Sequence, residues 1–133
     1  MIGHIETVVL DAEGLSAWIA HDRKHLAVLQ AFHAMGSDLV ISANTIVEVA
    51  HSKVNLPQLQ WVLSRVRIEP VTERTARRSA SILKAAGLHG HKYAIDATVA
   101  EMALRQRGPV AMLTSDLDDM ARLCGDRVRL IAC

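Results

Sequence analysis

Cysteine and aromatic residues are both scarce in this chain. Its 133 residues include two cysteines, two tryptophans, one tyrosine and one phenylalanine. Cys124 and Cys133 are too few and too unfavourably spaced for a disulfide framework or a zinc knuckle, so both thiols are expected to be reduced. The core must be aliphatic, and stacking of bases on aromatic rings is not expected to dominate any nucleic-acid binding.

Long apolar runs and a basic leader are also lacking. No apolar stretch approaches the roughly 20 residues that a membrane-spanning helix needs, and the N-terminal segment MIGHIETVVLDA has no basic region of the kind that opens a signal peptide. A cytoplasmic protein without membrane contact is therefore expected. The length fits one core, and the sequence predicts a single domain over residues 1–133.

Strand and helix patterns alternate along the chain. Pro70 indicates that the third strand lies at an edge of the sheet, and residues 88–92 are predicted to form a polar loop. The alternation predicts an α/β fold with a mostly parallel central sheet of about five strands and helices on both faces. The predicted strands are 5–10, 38–42, 67–71, 110–115 and 128–132, and the predicted helices are 12–20, 22–35, a segment carrying Glu48, 57–66, 73–86, 94–107 and 116–124.

Acidic residues recur where a strand gives way to a helix, or just inside the helix. Carboxyl ends of parallel strands share one edge of a sheet, so these acids are expected to converge. Two unit charges about 4 Å apart repel by roughly 4 kcal/mol near a protein surface. The cluster must therefore take up protons or bind hard cations such as Mg²⁺ or Mn²⁺. The acids are Asp11 after ETVVL, Glu48 in ISANTIVEVA, Asp96 in YAIDATVA, Asp116 after VAMLTS, and Asp119 one helical turn later.

The net charge of +1 conceals an uneven distribution. Once these five acids are set apart, the rest of the chain carries a clear excess of positive charge. A basic rim around an acidic crevice would attract a phosphate backbone. The candidate phosphate contacts are the hydroxyls of Thr114 and Ser115 and the side chains of Lys92, Arg77 and Arg78.

Several of these residues also have a purely structural explanation. Thr45 and Glu48 fit a capping box, and Asp116 could serve only as a helix N-cap. Arg77 is spaced to pair with Glu73 on an exposed helix face. Such explanations account for the acids singly but not for their joint arrangement.

Two histidines offer a rival metal site. His21 and His25 have the i,i+4 spacing of a helix that chelates zinc. The residues between them do not give the H-E-x-x-H pattern, and no third ligand is evident. Both are therefore expected to be exposed helix residues.

The ordered set of motifs resembles PIN-domain ribonucleases, specifically VapC-type toxins of bacterial type II toxin–antitoxin systems. The matching segments are VVLDAEGLSAWI, ISANTIVEVAH, HKYAIDATVAEMAL and LTSDLDDMARL, and IEPVTERTARRSASILKAAG resembles the edge strand and long basic helix of the family. The resemblance implies a three-layer α/β/α domain that hydrolyses RNA phosphodiester bonds with Mg²⁺ or Mn²⁺. By position, Asp11, Glu48, Asp96 and Asp116 match the acidic quartet of the family, and Asp119 matches an accessory acid.

The resemblance also implies roles and partners. Asp11, Asp96, Asp116 and Asp119 would hold metal. Glu48, whose longer side chain reaches further from the helix, would act through water, either by orienting the nucleophile or by completing a second metal shell. A homodimer and a cognate VapB-type antitoxin covering the acidic groove are expected. Apolar residues of the first helices would form dimer and antitoxin surfaces or simply core: Leu15, Trp18, Ile19, Leu26 and Leu29.

Two alternative functions stay open from sequence alone. One is a binding module that keeps the PIN fold without cutting RNA. The other is a phospho-receiver-like signalling domain, which also gathers acids beyond parallel strands. The receiver alternative needs a phosphate-pairing lysine late in the chain, and the last lysine is Lys92.

Overall fold

The computed structural model describes residues 4–133, so residues 1–3 of the predicted domain lie outside it. Within this range the chain alternates between strands and helices, as the pattern predicts. The strands are β1 Thr7–Leu10, β2 Asp38–Ser42, β3 Arg67–Glu69, β4 Val110–Thr114 and β5 Arg129–Ala132; the helices are α1 Ala12–Ile19, α2 Arg23–Ala34, α3 Ala43–Val49, α4 Leu56–Leu63, α5 Glu73–Ala86, α6 Gly90–Leu104 and α7 Leu117–Cys124.

The five strands form one parallel sheet in the order β3-β2-β1-β4-β5. The chain winds outward from β1 to β3 and then returns to place β4 on the other side of β1. This change of direction opens a crevice beyond the carboxyl ends of β1 and β4, which is where ligands bind in open α/β sheets. The order differs from the 2-1-3-4-5 order of receiver domains, so the signalling alternative is wrong.

Helices cover both faces of the sheet. Successive side chains of a strand point to opposite faces, so Val8 and Leu10 of β1 enter one core and Val9 enters the other. The first core is closed by buried residues of α1 to α4, and the second by buried residues of α5 to α7. This arrangement explains why β1 is wholly apolar and confirms the predicted three-layer α/β/α fold.

Several element boundaries differ from the prediction, and three of them are instructive. β3 ends at Glu69, because the following Pro70 has no N–H to donate to the sheet. Helix α4 ends at Leu63, where the Ser64 hydroxyl bonds the Trp61 carbonyl. Helix α6 already begins at Gly90 and bends at Tyr93, so three of the five residues of the predicted polar loop, 90–92, are helical.

The predicted capping box at Thr45 is wrong. Helix α3 follows β2 without a linker, and Ser42 is its N-cap, with its hydroxyl accepting the Asn44 N–H. Thr45 is therefore already inside the helix, where it cannot cap it. Glu48 is left without this structural role.

The edge position predicted for β3 is confirmed. Both cysteines are free thiols, with Cys124 buried and Cys133 exposed. None of the helices formed by residues 4–133 combines the length and apolarity needed to cross a membrane.

Candidate metal site

The sheet order and the helix starts bring the predicted acids together at the crevice. Asp11 follows β1 and is the N-cap of α1, whereas Asp116 follows β4 and is the N-cap of α7. Glu48 lies on α3, Asp96 on α6, and Asp119 in the first turn of α7. The charges of Asp116, Asp11 and Asp119 all act on Asp96, and Glu48 is influenced by Asp96, Asp11 and Asp116. The acids therefore form one electrostatic cluster.

Asp11 is the buried centre of this cluster. One oxygen of its carboxyl group, Oδ1, accepts the N–H groups of Glu13 at 3.0 Å and Gly14 at 3.2 Å. Its own backbone N–H donates to the Leu113 carbonyl of β4 at 3.2 Å. Burial raises the pKa of Asp11, and the charge of Asp116 adds to this effect, although hydrogen bonds from Thr114, Gly14 and Glu13 oppose it. Backbone hydrogen bonds thus fix the Asp11 carboxyl group in a position where burial disfavours its ionised form.

Asp96 and Glu48 are more accessible but also perturbed. Burial, together with the charges of the neighbouring aspartates, raises the pKa of Asp96 to about 6. Burial also raises the pKa of Glu48, and the other acids contribute to the shift. One of these contributors is Glu13, a further acid that sequence reasoning missed. The available signal was its place in the first turn of α1, two residues after Asp11.

A side-chain bond connects the helices that carry Glu48 and Asp96. The Asn44 side-chain amide on α3 donates to the Thr98 hydroxyl on α6 at 3.3 Å, and that hydroxyl donates to the Ile95 carbonyl at 2.6 Å. This bond fixes the separation of the two helices beside the crevice.

In the part of the chain that the structure describes, no basic side chain compensates the cluster. Among residues 4–133, no ion pair involves Asp11, Glu48, Asp96, Asp116 or Asp119, and no lysine, arginine or histidine influences the pKa of the three perturbed acids. A set of carboxylate oxygens without counter-charge suits a hard divalent cation.

The acids suit a divalent cation in their ligand chemistry and their charge. Their side chains are not yet arranged around a common point where the ion would sit. In the described part of the chain, no three Asp, Glu, His or Cys side chains are already arranged to hold an ion. Asp116 illustrates this openness: it is at the N-cap of α7, yet its exposed side chain makes no capping hydrogen bond. The crevice carboxylates would have to converge on a bound cation.

The predicted phosphate contacts divide into two groups. Thr114 and Ser115 lie directly between β4 and Asp116, and the buried Thr114 hydroxyl accepts the Asp116 N–H at 3.0 Å. Lys92 is exposed on α6, one helical turn before Asp96, with its Nζ 5.2 Å from the Tyr93 ring centroid.

Arg77 and Arg78 lie elsewhere on the molecule. Arg77 pairs with Glu73 at 2.8 Å, as its spacing indicates. Arg78 lines a cleft with Glu101 and Arg105 near the C-terminal end of α6, roughly 8 to 13 Å along the helix axis from Asp96 at 1.5 Å per residue. The structure does not bring these two arginines to the acids.

The prediction that both histidines are exposed helix residues is correct only in part, since His21 is exposed but not helical and His25 is helical but buried. His21 adopts a left-handed backbone conformation (φ 59°) between α1 and α2, so it does not share a helix with His25. His25 is 6% exposed rather than on the surface. The i,i+4 zinc spacing therefore does not exist in the fold, because the chain turns between the two helices.

A groove separate from the acids lies among α1, α2 and α4. Trp61 of α4 is 46% exposed, packs edge-to-face on Trp18 at 6.1 Å, and has Arg65 above its ring at 5.2 Å. The groove encloses about 330 Å³, and we call it the tryptophan groove. Of the apolar residues predicted in the first helices, Leu15, Trp18 and Leu29 are buried in the core, while Ile19 and Leu26 are partly buried against it.

The protein is an α/β domain with an acidic crevice. Its parallel sheet is covered by helices on both faces, and uncompensated carboxylates lie where the strand order changes direction. The PIN-domain family profile matches residues 8–125. The chain therefore belongs to the PIN-domain family.

Solved structures agree with this assignment at the level of fold. The chain is similar to one in the crystal structure of VapBC2 from Rickettsia felis bound to a promoter DNA fragment, with a TM-score of 0.72, 18% identity, and coverage of 96% of this chain and 98% of that chain. It is also similar to a chain of a toxin–antitoxin complex from Klebsiella pneumoniae, with a TM-score of 0.67, 22% identity, and coverage of 91% and 94%. Among curated proteins, no sequence matches this chain.

Proposed function

We propose that this protein is a VapC-type toxin, a metal-dependent endoribonuclease of a toxin–antitoxin pair. The observation that carries the proposal is the cluster of carboxylates from four separate parts of the chain, which no basic residue of the described range 4–133 neutralises. Membership of the PIN-domain family supports it, and so do two structural neighbours that are toxin–antitoxin complexes. Residues 1–133 would form one domain, since the three interior strands contribute to both cores.

The crevice residues have separable roles in this proposal. Asp11, Asp96, Asp116 and Asp119 would hold Mg²⁺ or Mn²⁺. When bound, the cation would offset their repulsion, lower the pKa of water and stabilise the leaving oxygen of the phosphodiester. The exposed Glu48 would accept a proton from the attacking water through its Oε atoms, because its raised pKa brings it nearer to neutral pH.

RNA would be held mainly through its backbone. Ser115 and Lys92 offer a hydroxyl and a charge near the acids, while Thr114 supports Asp11 and Asp116 from beneath. Arg77 and Arg78 would contact only parts of the RNA distant from the cut. With few aromatic side chains available, recognition would rest on phosphate position and RNA shape.

A VapB-type antitoxin would silence the site. An arginine from the antitoxin placed among the acids would satisfy the carboxylates with bidentate hydrogen bonds in place of a cation. The tryptophan groove would take an apolar helix of the same partner, with Trp61 as the exposed aromatic anchor. The protein itself would act as a homodimer.

Cleavage of total cellular RNA tests the proposal. The purified chain should produce fragments with Mg²⁺ or Mn²⁺ but not with EDTA, and Asp11→Asn and Asp96→Asn should abolish them. Glu48→Gln should slow cleavage by roughly 10²-fold or more, the scale of general base catalysis, while binding of Mn²⁺ persists. Asp38→Asn is the matched control, since Asp38 is exposed at the opposite end of β2.

The outcomes separate the hypotheses. Intact RNA under every metal condition, with no inhibitory partner co-purifying, would favour the binding module that keeps the PIN fold. Normal cleavage by Glu48→Gln would contradict the role proposed for Glu48 but would not affect the proposal of a metal site.

A further inference from the structure

The face of the sheet that α5 to α7 cover carries a cleft lined by three arginines. Arg78 lies on α5, Arg105 follows the last residue of α6, and Arg127 precedes β5. The cleft encloses about 340 Å³, and we call it the arginine cleft. Among the described residues that line it, Glu101 is the one acid, so three positive charges and one negative charge leave a net charge of +2. The acidic crevice uses none of these four residues.

A buried acid fixes one guanidinium group of the cleft. Glu101 is 4% exposed, and Arg105 Nε donates to both of its carboxylate oxygens at 3.1 Å. Arg105 Nη1 also donates to Glu69 Oε2 at 3.3 Å, which leaves Nη2 without a hydrogen-bond partner among residues 4–133. Arg105 therefore compensates a buried charge and still has unused N–H donors.

Within the described chain, the other two arginines have no acidic partner. Neither Arg78 nor Arg127 forms an ion pair with any residue of the range 4–133. Arg127 Nη2 donates to the carbonyl of Leu104, the last residue of α6, at 3.4 Å, so this guanidinium is also held beside the cleft. Arg78 is exposed. Positive groups that line one cleft repel one another, and a bound anion would offset this repulsion.

A phosphate group has the geometry and charge that this cleft requires. The planar guanidinium group presents its N–H donors in a fork that matches phosphate oxygens. Because hydrogen bonds already hold Arg105 and Arg127, little of their side-chain freedom would be lost on binding. Helix α6 carries Asp96 as well as this side of the cleft, and Glu101 and Arg105 lie roughly 8 to 13 Å from it along the helix axis. A polymer with repeated phosphates could therefore contact both sites at once.

We propose that the arginine cleft is a second binding site for the RNA backbone, which holds phosphates at a distance from the bond that is cut. The identity of the polymer rests on the proposed function, and the inference deepens that function by adding a site outside the crevice. A long RNA would contact the crevice and the cleft together, whereas a short RNA would contact one of them at a time. The cleft needs no metal, because its own charge is positive.

The salt dependence of RNA binding in EDTA tests the cleft separately from the metal site. Without metal the acids weaken binding as a whole, but the contribution of the cleft remains. For a long single-stranded RNA, Arg78→Ala/Arg127→Ala should reduce the salt slope by about 1.4, the value for two lost phosphate contacts. Arg23→Ala/Lys24→Ala is the matched control, because it removes the same charge from exposed positions on α2, which covers the other face of the sheet. The control should keep the wild-type slope.

Cleavage with Mg²⁺ connects the cleft to the proposed activity. Arg78→Ala/Arg127→Ala should raise KM for a long RNA more than for a short RNA and change kcat little, as expected when binding is lost equally from the ground state and the transition state. Arg105 is left in place, since its removal would leave the buried Glu101 carboxylate without its partner. Urea unfolding should give the cleft variant the wild-type midpoint, because both substituted arginines are exposed.

The outcomes distinguish the cleft from the nuclease site. Equal salt slopes in the cleft variant and the α2 control would overturn the proposal for the cleft and leave the nuclease proposal intact. Tighter binding of poly-aspartate than of RNA, lost in the cleft variant, would also overturn it, in favour of an acidic polypeptide as the partner. A wild type that cuts no RNA with Mg²⁺, but whose salt slope still falls in the cleft variant, would overturn the nuclease proposal and support the cleft as a phosphate-binding site.

Discussion

Asp96 stands half-buried on α6, where burial and the charges of Asp116, Asp11 and Asp119 raise its pKa from 3.8 to about 6. A carboxyl group whose pKa is higher in the folded protein retains a proton that the unfolded chain has already lost. Its folded-state ionisation therefore costs stability, and the cost grows as pH rises from about 4 to about 6. Glu48 and Asp11 shift in the same direction. Without a bound cation, the acids of the crevice repel one another and lower the stability of the folded protein.

Urea unfolding in EDTA should reveal this cost at Asp96. The wild type should lose stability relative to Asp96→Asn as pH rises from about 4 to about 6, and the difference should be constant at higher pH. The informative quantity is the difference in the free energy of unfolding between the wild type and Asp96→Asn. Other carboxyl groups, such as that of Glu69, have a lowered pKa and contribute equally to both proteins. Burial acts to raise the pKa of Glu69, but hydrogen bonds from Gln106 and Arg105 and the arginine charges lower it overall.

Saturating Mn²⁺ should reverse the ranking near neutral pH, since only the wild type retains the full set of ligands. The exposed Asp38→Asn variant should follow the wild type at every pH. A wild type that gains stability relative to Asp96→Asn between pH 4 and 6 would contradict the raised pKa and, with it, the mutual repulsion of the acids.

At the scale of elements, the sequence predicted a structural feature correctly where a single residue determines that feature. Gly87 ends α5 in the left-handed conformation that glycine favours (φ 69°), and Pro70 marks the edge strand. His25 could not be placed in this way, because its burial depends on β4 and β5, far away in sequence. The start of α6 was missed because the helix is interrupted at Tyr93, whose backbone is not helical (φ −113°, ψ 16°), so the regular pattern begins only after it. Asp11 and Asp116 lie at the same edge of the sheet because they follow β1 and β4, which are neighbouring parallel strands.

Gly14 and Gly90 offer a matched test of how α1 is placed. In α1, Gly14→Ala would bring Cβ to 3.2 Å from the Leu113 carbonyl oxygen, which belongs to the sheet and cannot yield easily. The helix should move away from β4, with a loss of about 1–3 kcal/mol in the free energy of unfolding and weaker Mn²⁺ binding through Asp11.

Gly90→Ala is the control, because its Cβ would meet only the flexible Leu83 Cδ1 at 3.7 Å. This variant should be neutral or gain about 0.4–1 kcal/mol, since alanine restricts the unfolded chain. Both measurements need only urea unfolding and a metal titration. Equal behaviour of the two alanine variants would mean that the close approach of α1 to β4 does not position the acids.

At the scale of the whole molecule, charge is segregated. The five acids lie at the carboxyl edge of the sheet, while the chain as a whole has a net charge of +1, so the remaining surface is basic. Such a distribution would draw a phosphate backbone toward the protein and repel it at the crevice until a cation neutralises the acids. Binding and cleavage should therefore both depend on metal, for different physical reasons.

Single-stranded RNA binding at several salt concentrations can show which part of the basic surface takes part. In a Glu48→Gln background with Mg²⁺, where cleavage should be slow, Lys92→Ala should weaken binding and reduce the salt slope by about 0.7, the value for one lost phosphate contact. Arg77→Ala should change little, because Arg77 is paired with Glu73 and lies away from the acids. Arg78→Ala should affect only RNA long enough to reach the cleft beside Arg105. A larger loss from Arg77→Ala than from Lys92→Ala would place the RNA path across α5 instead of along the first turn of α6.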